Sequence, residues 1–165
     1  MPELTPQDRL QPCLLDRLTD EQPRQSDEGR DQRVVSPARQ RDAIVRDLAS
    51  LLNSRIPRGL VEAEQYPEVR RSVLCYGLPD FCGMSLHSDV PEYLRRAIVH
   101  AITTFEPRVI ASTLSVTSMG RGASASRSSL TFEIRCEIWM QPVAEAIYLR
   151  TQVDLESGQC QVEAG

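Results

Sequence analysis

Few residues of this chain could do chemistry, and their spacing narrows what that chemistry can be. Five cysteines stand at positions 13, 75, 82, 136 and 160 without a Cys-x-x-Cys pair, and the two histidines, His87 and His100, lie far apart. Neither a zinc framework nor a disulfide scaffold follows from that spacing, so the sequence predicts no metal and no cofactor. Gly120-Arg121-Gly122 lacks the strand-to-helix setting that a phosphate-cradling loop requires. What remains is a tripeptide, Glu106-Pro107-Arg108, directly after a long amphipathic segment. A carboxylate there faces the negative end of a helix dipole, which costs a few tenths to ~1 kcal/mol unless a cation offsets it. Arg108 is such a cation, and the pair either tidies the helix end or presents two signs of charge to a partner. Gly77 and Gly83 read as backbone turns.

An enzymatic use of Glu106 would be glycan hydrolysis, as in a lysozyme-like peptidoglycan glycoside hydrolase. That reaction usually needs two carboxyl groups flanking the bond, ~5–5.5 Å apart for retention and ~6.5–9.5 Å for inversion. The second candidates, Glu133 and Glu137, fall on the polar face of a strand-like segment, apart from any evident cleft. The sequence therefore argues against an enzyme and against a small-molecule substrate.

The elements that must position these residues follow from periodicity. Residues 1–35 read as a mostly disordered amino-terminal arm, since Thr19 to Arg33 contains no apolar side chain to offset ordering entropy. One island interrupts it, Leu10, Cys13, Leu14, Leu15 and Leu18, on a single helical stripe. Residues 36–165 read as one domain. Its first helix begins at Ser36-Pro37 and carries an apolar stripe of Ile44, Leu48, Leu51 and Leu52, with Arg41, Asp42, Arg46 and Asp47 on the other side. A connection over residues 60–88 should pin Val73-Leu74-Cys75-Tyr76 to the core. Asp89 and Glu92 then suggest a capping box for a second helix that Pro107 ends.

Three strand-like segments follow. Ile110, Leu114 and Val116 alternate with polar residues; Leu130 to Met140 alternate with unusual regularity; and Ile147 to Leu155 follow the Gln141-Pro142 break. Gly120 to Ser124 supplies the first hairpin connection. The expected architecture is α+β: two amphipathic helices packed on a small antiparallel sheet with its other face wet. Trp139 projects from the wet face, either as an interface anchor or to pack under the arm.

Composition offers no nucleic-acid signal, and its arginine-only cations fit either a GC-rich coding sequence or carboxylate pairing at interfaces. A net charge of -4 gives no basic footprint for nucleic acid, and all 19 basic residues are arginine. No apolar run approaches the ~20 residues of a membrane span, and Met1 to Thr5 lacks the start of a secretory signal, so the expected location is cytoplasmic without membrane insertion.

Three stretches carry a family resemblance. Ile102-Thr103-Thr104-Phe105-Glu106-Pro107-Arg108 resembles the Phe-Glu-Pro-Arg signature of the contractile-tail baseplate wedge family, which spans phage tails and type VI secretion systems. Ser72-Val73-Leu74-Cys75-Tyr76-Gly77-Leu78-Pro79-Asp80 resembles a second family segment, with Cys75 where asparagine is more usual. Leu14-Leu15-Asp16-Arg17-Leu18-Thr19-Asp20 is similar to the amino-terminal signature of the type VI branch. The resemblance implies a structural subunit that joins wedge components of a type VI baseplate and helps initiate the contractile sheath. Its implied partners are other wedge subunits and sheath proteins. The residues expected to meet them are Glu106, Pro107, Arg108, Leu14, Leu15, Leu18 and Trp139.

Overall fold

The computed structural model describes residues 13–19, 36–61, 66–85, 89–120, 129–139 and 144–164. Most of the expected arm, Leu10, His87, the connection from Arg121 to Ser124, and Met140 with the Gln141-Pro142 break lie outside those residues. In chain order the helices are α1 (Leu14–Leu18), α2 (Pro37–Asn53), α3 (Arg58–Val61), α4 (Pro67–Arg71) and α5 (Val90–Phe105). The strands are β1 (Ser115–Gly120), β2 (Ser129–Ile138), β3 (Glu145–Asp154) and β4 (Cys160–Ala164).

Helix α2 begins as its residue types predict. The Ser36 Oγ accepts a hydrogen bond from the Arg39 backbone N–H at 3.2 Å, and Pro37 fills the first turn, where its missing N–H costs nothing. Its expected stripe, Ile44, Leu48, Leu51 and Leu52, is buried. Helix α5 buries Val90, Leu94, Ile98, Ala101 and Ile102. Its start differs from the expectation: the Asp89 side chain makes no cap hydrogen bond. Glu92 turns instead to Arg95 at 2.7 Å and Arg96 at 2.8 Å, since two cations one turn along outbid a single backbone N–H.

The four strands form an antiparallel meander in the order β1-β2-β3-β4. Leu130, Phe132, Ile134, Cys136 and Ile138 on β2 share the core face with Ile147, Leu149, Thr151 and Val153 on β3. Helix α5 lies against β1, α2 against β4, and the two helices pack on each other. The expected α+β architecture is the observed one. The sheet has one strand more than expected, because Asp154 and Gly158 build a tight turn into β4. Asp154 Oδ1 accepts from the Glu156 N–H at 2.8 Å, and Gly158 adopts φ 70°.

Two further expectations are corrected. Residues 111–113 form a 3-10 turn and β1 starts only at Ser115, because Thr113 Oγ1 donates back to the Ile110 carbonyl at 2.8 Å. Of the four residues expected in the core after Ser72, Cys75 is buried and Tyr76 packs half-buried against the core and edge-on to Phe105, while the other two do not. Val73 and Leu74 are exposed on a 3-10 turn whose three-residue repeat turns them outward.

Candidate functional site

Helix α5 ends at Phe105 because the following Glu106-Pro107 cannot continue it. The Glu106 N–H donates the last helical hydrogen bond to the Ile102 carbonyl at 3.0 Å. Beyond Pro107 the chain meets the far end of β2: the Trp139 N–H donates to the Arg108 carbonyl at 2.7 Å, and the Ile110 N–H to the Glu137 carbonyl at 2.8 Å. Glu106-Pro107-Arg108 is thus a clasp between the carboxyl end of a helix and the carboxyl end of a strand.

The side chains close the clasp. Glu106 is only 5% exposed. Its Oε1 accepts from the Arg108 backbone N–H at 3.1 Å and from Arg108 Nε at 2.7 Å, and its Oε2 lies 2.5 Å from Arg108 Nη2. This fork offsets the helix dipole that opposes a carboxylate here. Arg108 Nη2 also donates to Asp47 Oδ2 at 2.6 Å, which ties the clasp to α2.

The charges continue beyond Asp47. Arg46 reaches Asp47 Oδ1 through Nη2 at 2.7 Å and Asp16 Oδ1 through the same nitrogen at 2.8 Å. Cys13 Sγ donates to the other Asp16 oxygen at 2.9 Å. Glu106, Arg108, Asp47, Arg46 and Asp16 therefore form one line of alternating sign running from α5 across α2 to α1. Burial alone would push the Asp16 carboxyl up, but hydrogen bonds from Cys13 and Arg46 and the charges of Arg46 and Arg108 hold it below its ordinary value. The hydrogen bond to Glu106, against the cost of burial and with help from Asp47, raises Arg108 above the usual arginine value. Burial, with the nearby Glu106 charge, pushes the Cys136 thiol up to about 11, so it stays protonated and packs as an apolar group.

The line brings together residues that the sequence separates. Glu106, Pro107 and Arg108 sit in the clasp, Trp139 follows the strand end they grip, and α1 is held by Asp16. Leu14, Leu15 and Leu18 are 69%, 60% and 74% exposed, and Trp139 is 55% exposed. Gln40 Nε2, on the same helix as Asp47, donates to the Trp139 carbonyl at 3.4 Å. Sequence reasoning placed Arg46 and Asp47 on a solvated face and gave Asp16 no role. Their linkage was hidden because it depends on which turn of α2 faces the end of α5.

The second motif is structural. Gly77 adopts φ 121°, and a Cβ there would lie 2.4 Å from the Ser54 carbonyl oxygen. The close approach lets the Leu78 N–H donate to that same oxygen at 3.0 Å and the Ile56 N–H to the Leu78 carbonyl at 2.9 Å. Leu78 and Phe81 are then fully buried, while Asp80 pairs with Arg58 at 2.8 Å.

As a hydrolase site this arrangement is poor. Both Glu106 oxygens are engaged inside the protein, and Glu133 is paired with Arg135. Among the described residues no helix is long and apolar enough to cross a membrane.

The model of the baseplate wedge protein gp25 family matches residues 38–143, well over half of the 165-residue chain. No curated protein and no solved structure matches it. The chain belongs to the baseplate wedge protein gp25 family. The match covers α2 through β2, and so both the clasp and the Gly77 approach.

Proposed function

We propose that this baseplate wedge protein works in the cytoplasm as a non-enzymatic subunit of a type VI secretion system, joining other wedge components and helping to start the contractile sheath. The observation that carries the reading is the contrast between satisfied charges and unsatisfied apolar surface. Every charge in the line from Glu106 to Asp16 has an internal partner, while Leu14, Leu15, Leu18 and Trp139 stay more than half exposed beside it. Large apolar side chains fixed on a rigid frame are the anchors of protein–protein contact. The sheet adds a second mode, because an edge strand accepts another strand by backbone hydrogen bonding. At β4 the edge is partly taken: Asn53 Nδ2 donates to the Cys160 carbonyl at 2.8 Å and its Oδ1 accepts the Cys160 N–H at 3.0 Å. That favours β1 as the receiving edge.

The test is a cell that carries this chain as its only copy of the subunit, with a fluorescent sheath. Leu14→Ser, Leu15→Ser and Leu18→Ser together should abolish sheath foci and co-purification with the other wedge subunits. The melt should hardly move, since each exposed change is worth within ~0.5 kcal/mol. Normal sheaths and normal co-purification would refute the reading.

A further inference from the structure

A cleft of about 680 Å³ lies away from the clasp, between α3, α4 and the middle of α5. That volume is in the range of side-chain and ligand pockets, ~300–1,000 Å³. Its floor is Cys75, Gly77 and Pro79, all buried, and Ile56, Leu60 and Ala97 form half-buried walls. The second motif therefore builds this cleft as well as the core, since the close approach of Gly77 to Ser54 sets the level of the floor.

The rim is cationic in a protein whose net charge is -4. Its positive charge comes from Arg70 on α4 and Arg96 on α5, with the His100 imidazole of α5 as a further polar group in the lining. Arg96 shares the single carboxylate of Glu92 with Arg95, so two positive charges meet one negative charge. Among the described residues Arg70 has no carboxylate partner, and Glu68 on the same short helix makes no ion pair. Burial, and then the positive charge of Arg70, push the His100 imidazole below its ordinary value. The remaining polar neighbours are Tyr93, whose hydroxyl burial raises, and Thr104, whose Oγ1 is 3.4 Å from His100 Nδ1.

We infer that this cleft is a docking site for an acidic segment of a partner protein, one apolar side chain filling the cleft and flanking carboxylates meeting Arg70, Arg96 and His100. The apolar floor selects a leucine- or phenylalanine-sized side chain, and the surplus of positive charge on the rim selects glutamate or aspartate beside it. The contact is separate from the leucine helix and from Trp139, so it would give the subunit a second, independent handhold.

The experiment is an NMR titration of the labelled full chain with an acetylated, amidated hexapeptide, Glu-Leu-Glu-Glu-Phe-Glu. The expected result is saturable shifts confined to Tyr93, Ala97 and the His100 ring, with His100 titrating at higher pH in the complex. The same peptide with glutamine for every glutamate should bind at least about tenfold more weakly, as should Arg70→Glu, a surface change that leaves the melt intact. Equal binding of the glutamine peptide would overturn the proposal, as would the absence of saturable shifts. Inorganic phosphate producing the same shifts at lower concentration would make the site a small-anion site and overturn it too.

Discussion

Removing the cation at the centre of the charged line tests whether the clasp holds the fold. In Arg108→Met the methionine keeps much of the side-chain volume and loses the guanidinium. Among the described residues Glu106, 5% exposed, then keeps only the backbone N–H of residue 108, and Asp47 keeps only Arg46. Breaking a buried pair by removing one partner costs ~3–5 kcal/mol. Arg108 is itself 25% exposed, which admits water to its side of the pair and favours the lower end, about 3 kcal/mol. That is a large share of the ~5–15 kcal/mol that stabilises a typical domain. At ~2–4 °C per kcal/mol for a chain of this size, the melting temperature should fall by ~6–12 °C. The assay is urea and thermal unfolding followed by circular dichroism, with the double variant Glu106→Gln/Arg108→Met as the control. If the cost comes from an uncompensated buried carboxylate, the double variant recovers most of it, because the stranded charge is gone. A single-variant loss below ~1 kcal/mol, or a double variant no better than the single, would refute the reasoning.

Gly77→Ala should destabilise by more than ~1–3 kcal/mol in a urea melt, because the new Cβ meets the Ser54 carbonyl at 2.4 Å at a backbone angle that L-residues avoid; a neutral effect would mean the strand of chain can shift. Asp16→Asn should lower amide-exchange protection of Leu14–Leu18 while leaving α5 unchanged, and uniform loss would show that α1 is integral to the core. In the unchanged protein the same contact follows pH. Its folded value is depressed, so the stabilisation is present above the ordinary aspartate value and is lost as pH falls through the lowered one; protection of α1 that does not depend on the Asp16 carboxyl during acid titration, judged against Asp16→Asn, would contradict this. Purified protein should release no glycan fragments from peptidoglycan, measured by reducing-end assay, and release that disappears in Glu106→Gln would restore the hydrolase reading.

The parts of the fold legible in the sequence are those with strong local signals. Ser36-Pro37 sets one helix start through its own hydroxyl, Pro107 stops the other helix, and the alternation from Leu130 to Ile138 fixes a face whatever its partners are. The misreadings share one cause, a local pattern overruled by a closer partner. Asp89 and Glu92 match a capping box by spacing, yet Glu92 has Arg95 and Arg96 within reach, which hold its carboxyl down at about 2. Val73 and Leu74 are apolar, but the 3-10 turn that delivers Cys75 to the interior points them outward. The fourth strand shows in the sequence as Cys160, Val162 and Ala164 alternating with polar residues after the Asp154-Leu155-Glu156-Ser157-Gly158 turn. Its shortness and its lack of bulky side chains hid it. For the site, the sequence shows the tripeptide and the leucine island, and three-dimensional contact alone shows that Asp16, Arg46 and Asp47 join them.

That connection changes how an interface role for the tripeptide must be tested. From sequence, exchanging the charges (Glu106→Arg with Arg108→Glu) looks like a surface reversal that leaves the fold alone. In the structure, an arginine at 106 would have to fit a position 5% exposed at the end of α5. A glutamate at 108 would face Asp47, which now sits 2.6 Å from a guanidinium nitrogen. Asp47 would then exchange a cationic partner for a second carboxylate, and a like-charge contact costs several kcal/mol. Lost sheaths in the exchanged variant would therefore report unfolding as readily as a lost contact. The exposed end of the line separates the two, because the Arg46 side chain is 51% exposed whereas Glu106 is sealed. Arg46→Gln keeps the Glu106–Arg108–Asp47 contacts and removes the half-exposed Arg46 pairs to Asp47 and Asp16, so its melt should stay within ~1 kcal/mol of the parent. If sheaths fail in that variant while the melt holds, the line matters through the placement of the leucine helix. If sheaths form normally, the clasp serves the fold, and α1 needs no tether to reach its partner.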